Sequence, residues 1–429
     1  MTTATAPVAA PTRDGDRPVR RRGLVTALAV TQTVGYGTLY YAFAVVLAPM
    51  ATQLRTSTAV VTGALTLAVV VTAAAAIPVG RWLDRHGGHG LMTAGSVLGT
   101  AALVAWSQVE TVGQLYAVFA AIGVASAMVL YEPAFAILIA VLDPARRAGA
   151  LLTVTIVAGF ASSIFIPLTG LLTDRYGWRT AIAVLAAVHA LTTVPLHALA
   201  LRDNRRPRRS AAGRDAEPPG LGTARASRSA NAVERDAGAA PGAGHPVRDP
   251  GFWLLTAGFV TQGGALAVIA VHLVSYLVVL GHSAAFAATA TGLLGVLSVT
   301  GRVVTTGLRR WLPVRAVTAV VFALQGLAVA GLPVLGRSGA GAIVCVTVFG
   351  LGFGVATLAR PAILADRYGT TRYATIAGAL ATPATLAKAT APLGAAVLAL
   401  NLGYTALMTV VAGACLVAAG CLLLTPAVR

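Results

Sequence analysis

The chain has 429 residues, of which 57% are hydrophobic and only 11% charged, with a mean hydropathy of +0.78. A water-soluble domain usually carries about 25% charged residues, so an ordinary soluble enzyme is excluded. The net charge of +18 is carried by arginines bunched in short breaks between apolar runs, the pattern of membrane-protein loops rather than of a nucleic-acid-binding face.

In chain order, residues 1–23 form a polar, basic tail, followed by an apolar run too long for a signal peptide, which reads as an uncleaved first span. Apolar runs then fall near 24–48, 59–81, 90–107, 113–141, 148–171 and 179–201. Each is close to the ~20 residues a helix needs to cross a bilayer. The stretch 202–250 is rich in Arg, Ala, Gly and Pro with no apolar period, and reads as a disordered tether. Runs resume near 252–279, 284–306, 315–335, 340–364, 373–398 and 402–425, leaving 426–429 as a short C-terminal tail. The expected architecture is all-α: twelve transmembrane helices in two six-helix bundles, 24–201 and 251–425. Cys345, Cys415 and Cys421 lie inside apolar runs, so neither a disulfide framework nor a metal site is expected.

Charge gives the orientation. With the N-terminus in the cytoplasm, and the tether left out, 17 arginines fall in inner segments against four in outer ones (Arg55, Arg175, Arg179 and Arg337). The positive-inside rule then places both termini in the cytoplasm.

The two halves repeat. Val30-Thr31-Gln32 in span one returns as Val260-Thr261-Gln262 in span seven. Glu132-Pro133-Ala134 in span four returns as Arg360-Pro361-Ala362 in span ten, and Pro167-Leu168 in span five as Pro392-Leu393 in span eleven. Each match joins a span to the sixth one after it. Six being even, the halves share one orientation, related by an axis along the membrane normal.

The loop between spans two and three reads Gly80-Arg-Trp-Leu-Asp84-Arg85-His86-Gly87-Gly88-His89. It resembles the signature G-x3-D-[RK]-x-G-[RK]-[RK] of the major facilitator superfamily, with Gly88 and His89 in place of the last two basic residues. A reduced copy, Gly307-Leu-Arg-Arg-Trp311, lies in the second half and lacks the Asp. The resemblance covers nearly the whole chain, including Asp174-Arg-Tyr-Gly-Trp-Arg179 at the close of the first half. It implies a pseudo-twofold fold, a secondary transporter acting by alternating access, a small-molecule substrate, a monomer in the cytoplasmic membrane, and no enzyme activity. No cofactor is implied beyond the proton gradient as driving force. No nucleotide-binding G-x4-G-K-[ST] loop is present, which disfavours an ATP-driven pump, and no nucleic acid is expected as partner.

Physically, Gly80 would let a neighbouring helix approach closely. Asp84 could sit at a helix N-terminus and pair with Arg146 or Arg147 of an adjacent inner loop. With Arg85 and Gly87, these residues form a candidate latch between conformations.

Charges inside spans are costly, about 2.5–3.5 kcal/mol each at the bilayer centre, and so mark function. Glu132 precedes Asp143 by eleven residues, roughly 16 Å of helix, which puts it near the midplane as the candidate proton-coupling residue. Its repeat mate Arg360, with Lys388 midway along span eleven, are candidate substrate-binding cations. The resemblance implies that spans four and ten line the central cavity, so Glu132 and Arg360 are expected to face each other across it. Gln32, Tyr36 and Tyr40 share a helix face at i, i+4, i+8 and are expected to line the cavity. Tyr131, His272 and Arg302 complete the candidate set, although Arg302 could equally mark the inner boundary of span eight. The lone histidines His189 and His197 attract no role.

The cargo is less legible. Span five carries Gly159-x3-Ser163-x3-Pro167-x2-Gly170, departing from the G-x3-G-P-x2-G-G pattern of the drug–proton antiporters. Residues 35–44 look like bacterial monocarboxylate-transporter relatives, without the acidic-Gly-Gly-Trp motif of those proteins. A small organic anion is expected, with drug-like efflux as the alternative and a transporter-fold sensor or channel as a remote one.

Overall fold

The computed structural model describes residues 16–202, 248–309 and 311–426; most of the tether and the outermost tail residues lie outside them. Ten apolar helical stretches among the described residues are long enough to cross a bilayer. Span one is Gly23–Gln53, span two Thr58–His86, span three Gly88–Ser107 and span four Val112–Val141. Pro144–Ala200, of 57 residues, is twice a crossing. It turns at Gly177, whose φ of 78° and ψ of 157° are open to glycine and strained for other residues, and so holds spans five and six. Spans seven to ten are Pro250–Val279, Ala285–Leu308, Val314–Leu335 and Gly339–Tyr368. Tyr373–Leu424 holds spans eleven and twelve, turning at Gly403 with φ 82° and ψ 167°. The chain thus crosses twelve times, and Gly177 and Gly403 sit at repeat-related places.

The repeat extends to helix starts. Ser57 caps span two through Val60 N at 3.2 Å, and Ser283 caps span eight through Phe286 N at 3.2 Å. Thr111 caps span four through Gln114 N at 3.2 Å, and Ser338 caps span ten through Gly341 N at 3.1 Å. Each hydroxyl satisfies an amide that the first helical turn leaves unpaired.

An even number of crossings puts both chain ends on one face, called here the terminal face. There a single apolar core runs through both bundles, from Leu28, Leu83 and Leu151 to Phe322, Leu364 and Leu422. Towards the opposite face the core divides. Met50, Trp106, Phe119 and Trp178 pack within the first bundle only, and Leu277, Val329, Phe349 and Met408 within the second only. The bundles are joined at the terminal face and separate towards the other.

Spans four and ten are broken near their middles. Span four stops at Val129 and restarts at Tyr131, and span ten stops at Gly352 and restarts at Val355. In span four the cause is Pro133, which has no N–H to give the carbonyl of Val129 four residues back. Gln32 Nε2 donates to that carbonyl instead, at 2.7 Å. In the second half Phe353 N bonds to Gly350 O. The Phe349 carbonyl is then taken by Gln325 Nε2 at 2.8 Å, and Gln325 is held in turn by Gln262, the repeat mate of Gln32.

Candidate functional site

The breaks place charge between the bundles. Just past the first, Glu132 forms an ion pair with Arg360 of span ten, joining repeat mates across the two halves. The side chains are 34% and 15% exposed, so the pair is enclosed but not sealed. Lys388, on span eleven, has exposed surface, lies within electrostatic reach of both Arg360 and Glu132, and lays its stem against Gly263 of span seven.

Arg302 adds a third cation. Its Nη1 donates to Thr155 O of span five at 3.1 Å, across the bundle boundary, and its Nε to Gly354 O at the break in span ten, at 3.3 Å. Tyr36, Tyr41 and Tyr131 of the first bundle surround it electrostatically. Tyr36 packs on Tyr131 with ring centroids 4.7 Å apart, and Tyr131 stacks on Phe135. On the terminal side, buried Tyr373 lies near Glu132, Arg360 and Arg147 and floors the cluster. Beyond it a small recess is lined by Arg147, Arg309 and Asp366. The central group therefore comprises three basic side chains and one carboxylate at the bottom of the gap between the bundles.

The signature loop closes the terminal face. Asp84 Oδ1 accepts from Ala374 N at 3.0 Å, and Oδ2 from Thr375 N at 2.8 Å and Thr375 Oγ1 at 2.6 Å. Asp84 of the first bundle thus caps the N-terminus of span eleven in the second, where a carboxylate meets unpaired amides and the positive end of the helix dipole. A Cβ on Gly80 would run into the Ala374 carbonyl, and one on Gly378 into the Ala76 carbonyl. Thr382 Oγ1 donates to Ala73 O at 2.8 Å, one step further along the same seam.

A sequence model described as Major Facilitator Superfamily matches residues 28–387. The chain belongs to the major facilitator superfamily. It is a multi-pass membrane protein. Two solved structures share the fold. The human organic anion transporter MFSD10 (TETRAN) is 17% identical, with a TM-score of 0.69 over 94% of this chain and 99% of that one. A variant of the E. coli fucose:proton symporter FucP is 12% identical, with a TM-score of 0.65 over 95% and 98%. No curated protein sequence matches at a significant level.

Within this superfamily fold, several sequence-predicted residues lie elsewhere than expected. Arg146 and Arg147 do not partner Asp84: Arg146 is exposed, and Arg147 Nε donates to Leu142 O at 3.0 Å. The cap on span eleven already satisfies both Asp84 oxygens. Gln32 is fully buried, committed to the carbonyl that Pro133 leaves free, and does not line the cavity. His272 is buried and its Nε2 bonds to Pro392 O at 3.1 Å, tying span seven to span eleven. Arg85 is exposed, and Gly87 takes a φ of 79° to turn the chain between spans two and three. Tyr40 is 46% exposed, while its neighbour Tyr41 comes within electrostatic reach of Arg302. Tyr41 and Tyr373 were absent from the sequence-derived set; the glycines flanking Tyr36, Gly35 and Gly37, are the one local hint that the helix period fails there. The segment Asp174–Arg179 serves the opposite face. There Trp178 Nε1 donates to Gln53 Oε1 at 2.5 Å, and Arg179 Nη1 to Ser107 O at 3.1 Å.

Proposed function

We propose that the chain is a proton-coupled carrier of a small organic anion, working by alternating access in the cytoplasmic membrane with both termini in the cytoplasm. The observation carrying this reading is the charge at the bottom of the gap: Arg302, Arg360 and Lys388 against Glu132 alone. Such an excess of positive charge, gathered between the bundles, favours an anion and disfavours a cationic drug. The organic-anion and proton-symport names of the two fold neighbours agree with it but belong to those proteins.

The charges give a balanced cycle. An incoming carboxylate takes the Arg360 guanidinium from Glu132. The released Glu132, in a low-dielectric site without its partner, takes up a proton. One anion and one proton then travel together, and the Glu132–Arg360 pair re-forms once both have left. With the terminal face cytoplasmic, the joined core and the Asp84 cap close the inner side, and the gap opens outward. Inward opening requires the cap, the span two–eleven seam and the Arg302–Thr155 bond to part.

The test is flux into proteoliposomes, with labelled lactate, a neutral sugar and a cationic dye as cargoes under an imposed pH gradient. Lactate accumulation that collapses with the gradient is expected. Glu132→Gln should keep lactate exchange across the membrane while losing gradient-driven accumulation. Transport of the dye or sugar in place of lactate, or full accumulation by Glu132→Gln, would overturn the reading.

A further inference from the structure

Span one is α-helical to Tyr36, opens into a wider π-helical turn over Gly37–Tyr41, and resumes as α-helix at Ala42. A π-turn inserts one residue, so side chains five apart line up where four apart would in an α-helix. Here it brings Tyr41, rather than Tyr40, into line with Tyr36. Both then lie within electrostatic reach of Arg302, with Tyr36 packed on Tyr131 beside Glu132. The turn also sets the rotation of everything after it, so Phe43, Val46 and Met50 face the first-bundle core.

Two contacts hold the turn. The ring of Phe165, from span five, occupies the space that a Cβ on Gly37 would need. The other contact is polar. Thr38 Oγ1 donates to Val34 O at 2.8 Å and stands 2.9 Å from His189 Nδ1. A hydroxyl has one proton; with it given to Val34, the oxygen accepts from His189, which must be the Nδ1–H tautomer. His189 is fully buried on span six, and its Nε2 has no partner and faces Gly99.

His197, two turns further along span six, is used differently. Its Nε2 lies 3.0 Å from Thr31 Oγ1, whose proton goes to Leu28 O, and its Nδ1 lies 2.7 Å from Ser96 Oγ. Both its nitrogens are engaged, and Thr31 sits in regular helix. His197 staples spans one, three and six, whereas His189 holds one hydroxyl in the one irregular turn of span one.

We propose that His189 is a positioning residue for the central site: through Thr38 it pins the π-turn that brings Tyr36 and Tyr41 to Glu132 and Arg302. Its transport consequence rests on the anion-carrier reading; the pinning itself does not. His189 touches no cargo and changes no charge at the site.

The test pairs a substrate-free readout with a transport one, using the full chain in detergent and in proteoliposomes. Amide hydrogen exchange over residues 37–42 reports the turn directly. His189→Leu and Thr38→Val should speed it about fivefold, the effect of losing one buried hydrogen bond. Two conservative changes should restore it. His189→Asn places an amide N–H where Nδ1–H was, and Thr38→Ser keeps the hydroxyl. His189→Gln, which presents its amide at the Nε2 position, should not. His197→Leu is the control for general loosening: lower thermal stability, unchanged exchange over 37–42. For lactate uptake, His189→Leu should raise KM about fivefold with Vmax within about twofold, and His189→Asn should restore it. Unchanged exchange in His189→Leu and Thr38→Val, rescue by Gln equal to that by Asn, or the same effect from His197→Leu would overturn the proposal. The expected exchange pattern in a protein whose wild type moves no lactate would uphold the pin and overturn the anion reading.

Discussion

Replacing Asp84 by Asn removes the charge from the contact joining the bundles at the terminal face while keeping its size. In the wild type, Asp84 accepts three hydrogen bonds, from Ala374 N at 3.0 Å, Thr375 N at 2.8 Å and Thr375 Oγ1 at 2.6 Å. The amide keeps one acceptor oxygen; the other position becomes an NH2 facing donors. A hydrogen bond to a charged group contributes about 1.5–3 kcal/mol, and a carboxylate at a helix N-terminus about 0.3–1 kcal/mol more. Because Asp84 is half-buried, water screens part of this, and about 2 kcal/mol is a reasonable net loss. That shifts the ratio of closed to open terminal faces about 30-fold. Spin labels on Arg85 and Thr371, both exposed at the ends of spans two and eleven, report the separation by double electron–electron resonance. Asp84→Asn should populate a longer distance. Gly80→Val should do so by steric means, since a Cβ there meets the Ala374 carbonyl. An unchanged distance distribution in Asp84→Asn would refute the cap as the closing contact.

Two further outcomes follow from the structure. Gln32→Leu leaves the Val129 carbonyl buried and unpaired, costing about 1–3 kcal/mol. Adding Pro133→Ala supplies a backbone N–H for that carbonyl, so the double variant should recover thermal stability that the single one loses; strict additivity would refute the coupling. At the terminal face, Asp249 accepts from Tyr368 OH at 2.7 Å, Gly251 N at 2.9 Å and Arg367 at 3.0 Å. Burial pushes its carboxyl up, but these hydrogen bonds and the Arg367 charge outweigh it, and the net shift is below the ordinary value. A carboxyl lowered on folding adds stability above its unfolded pKa, lost as pH falls through the folded one. Asp249→Asn should therefore lower Tm by about 2 °C or more at pH 7, with the gap from wild type closing below about pH 4. A gap constant from pH 7 to pH 3 would remove ionisation from the explanation.

The spans, the repeat and the location of charge were legible in the sequence because each is local. An apolar run of bilayer length must be a helix, since lipid offers no partner for an unpaired amide, and a charge within such a run is too costly to be incidental. Hence Glu132, Arg360, Arg302 and Lys388 could be singled out. The dipeptide matches also mark Glu132 and Arg360 as repeat mates, and the fold joins them in an ion pair. What tertiary structure alone decided is where those side chains point and what already occupies them. Gln32 shares a nominal face with Tyr36, yet it is spent on a carbonyl left free by a proline about a hundred residues away. Tyr41 displaces Tyr40 because one inserted residue rotates the helix, and the insertion is held by Phe165 and, through Thr38, by His189, partners from spans five and six. Asp84 meets the start of span eleven rather than Arg146 or Arg147, because that helix end brings unpaired amides to it. Periodicity assigns a residue to a face; only the packing of the other helices determines what that face meets.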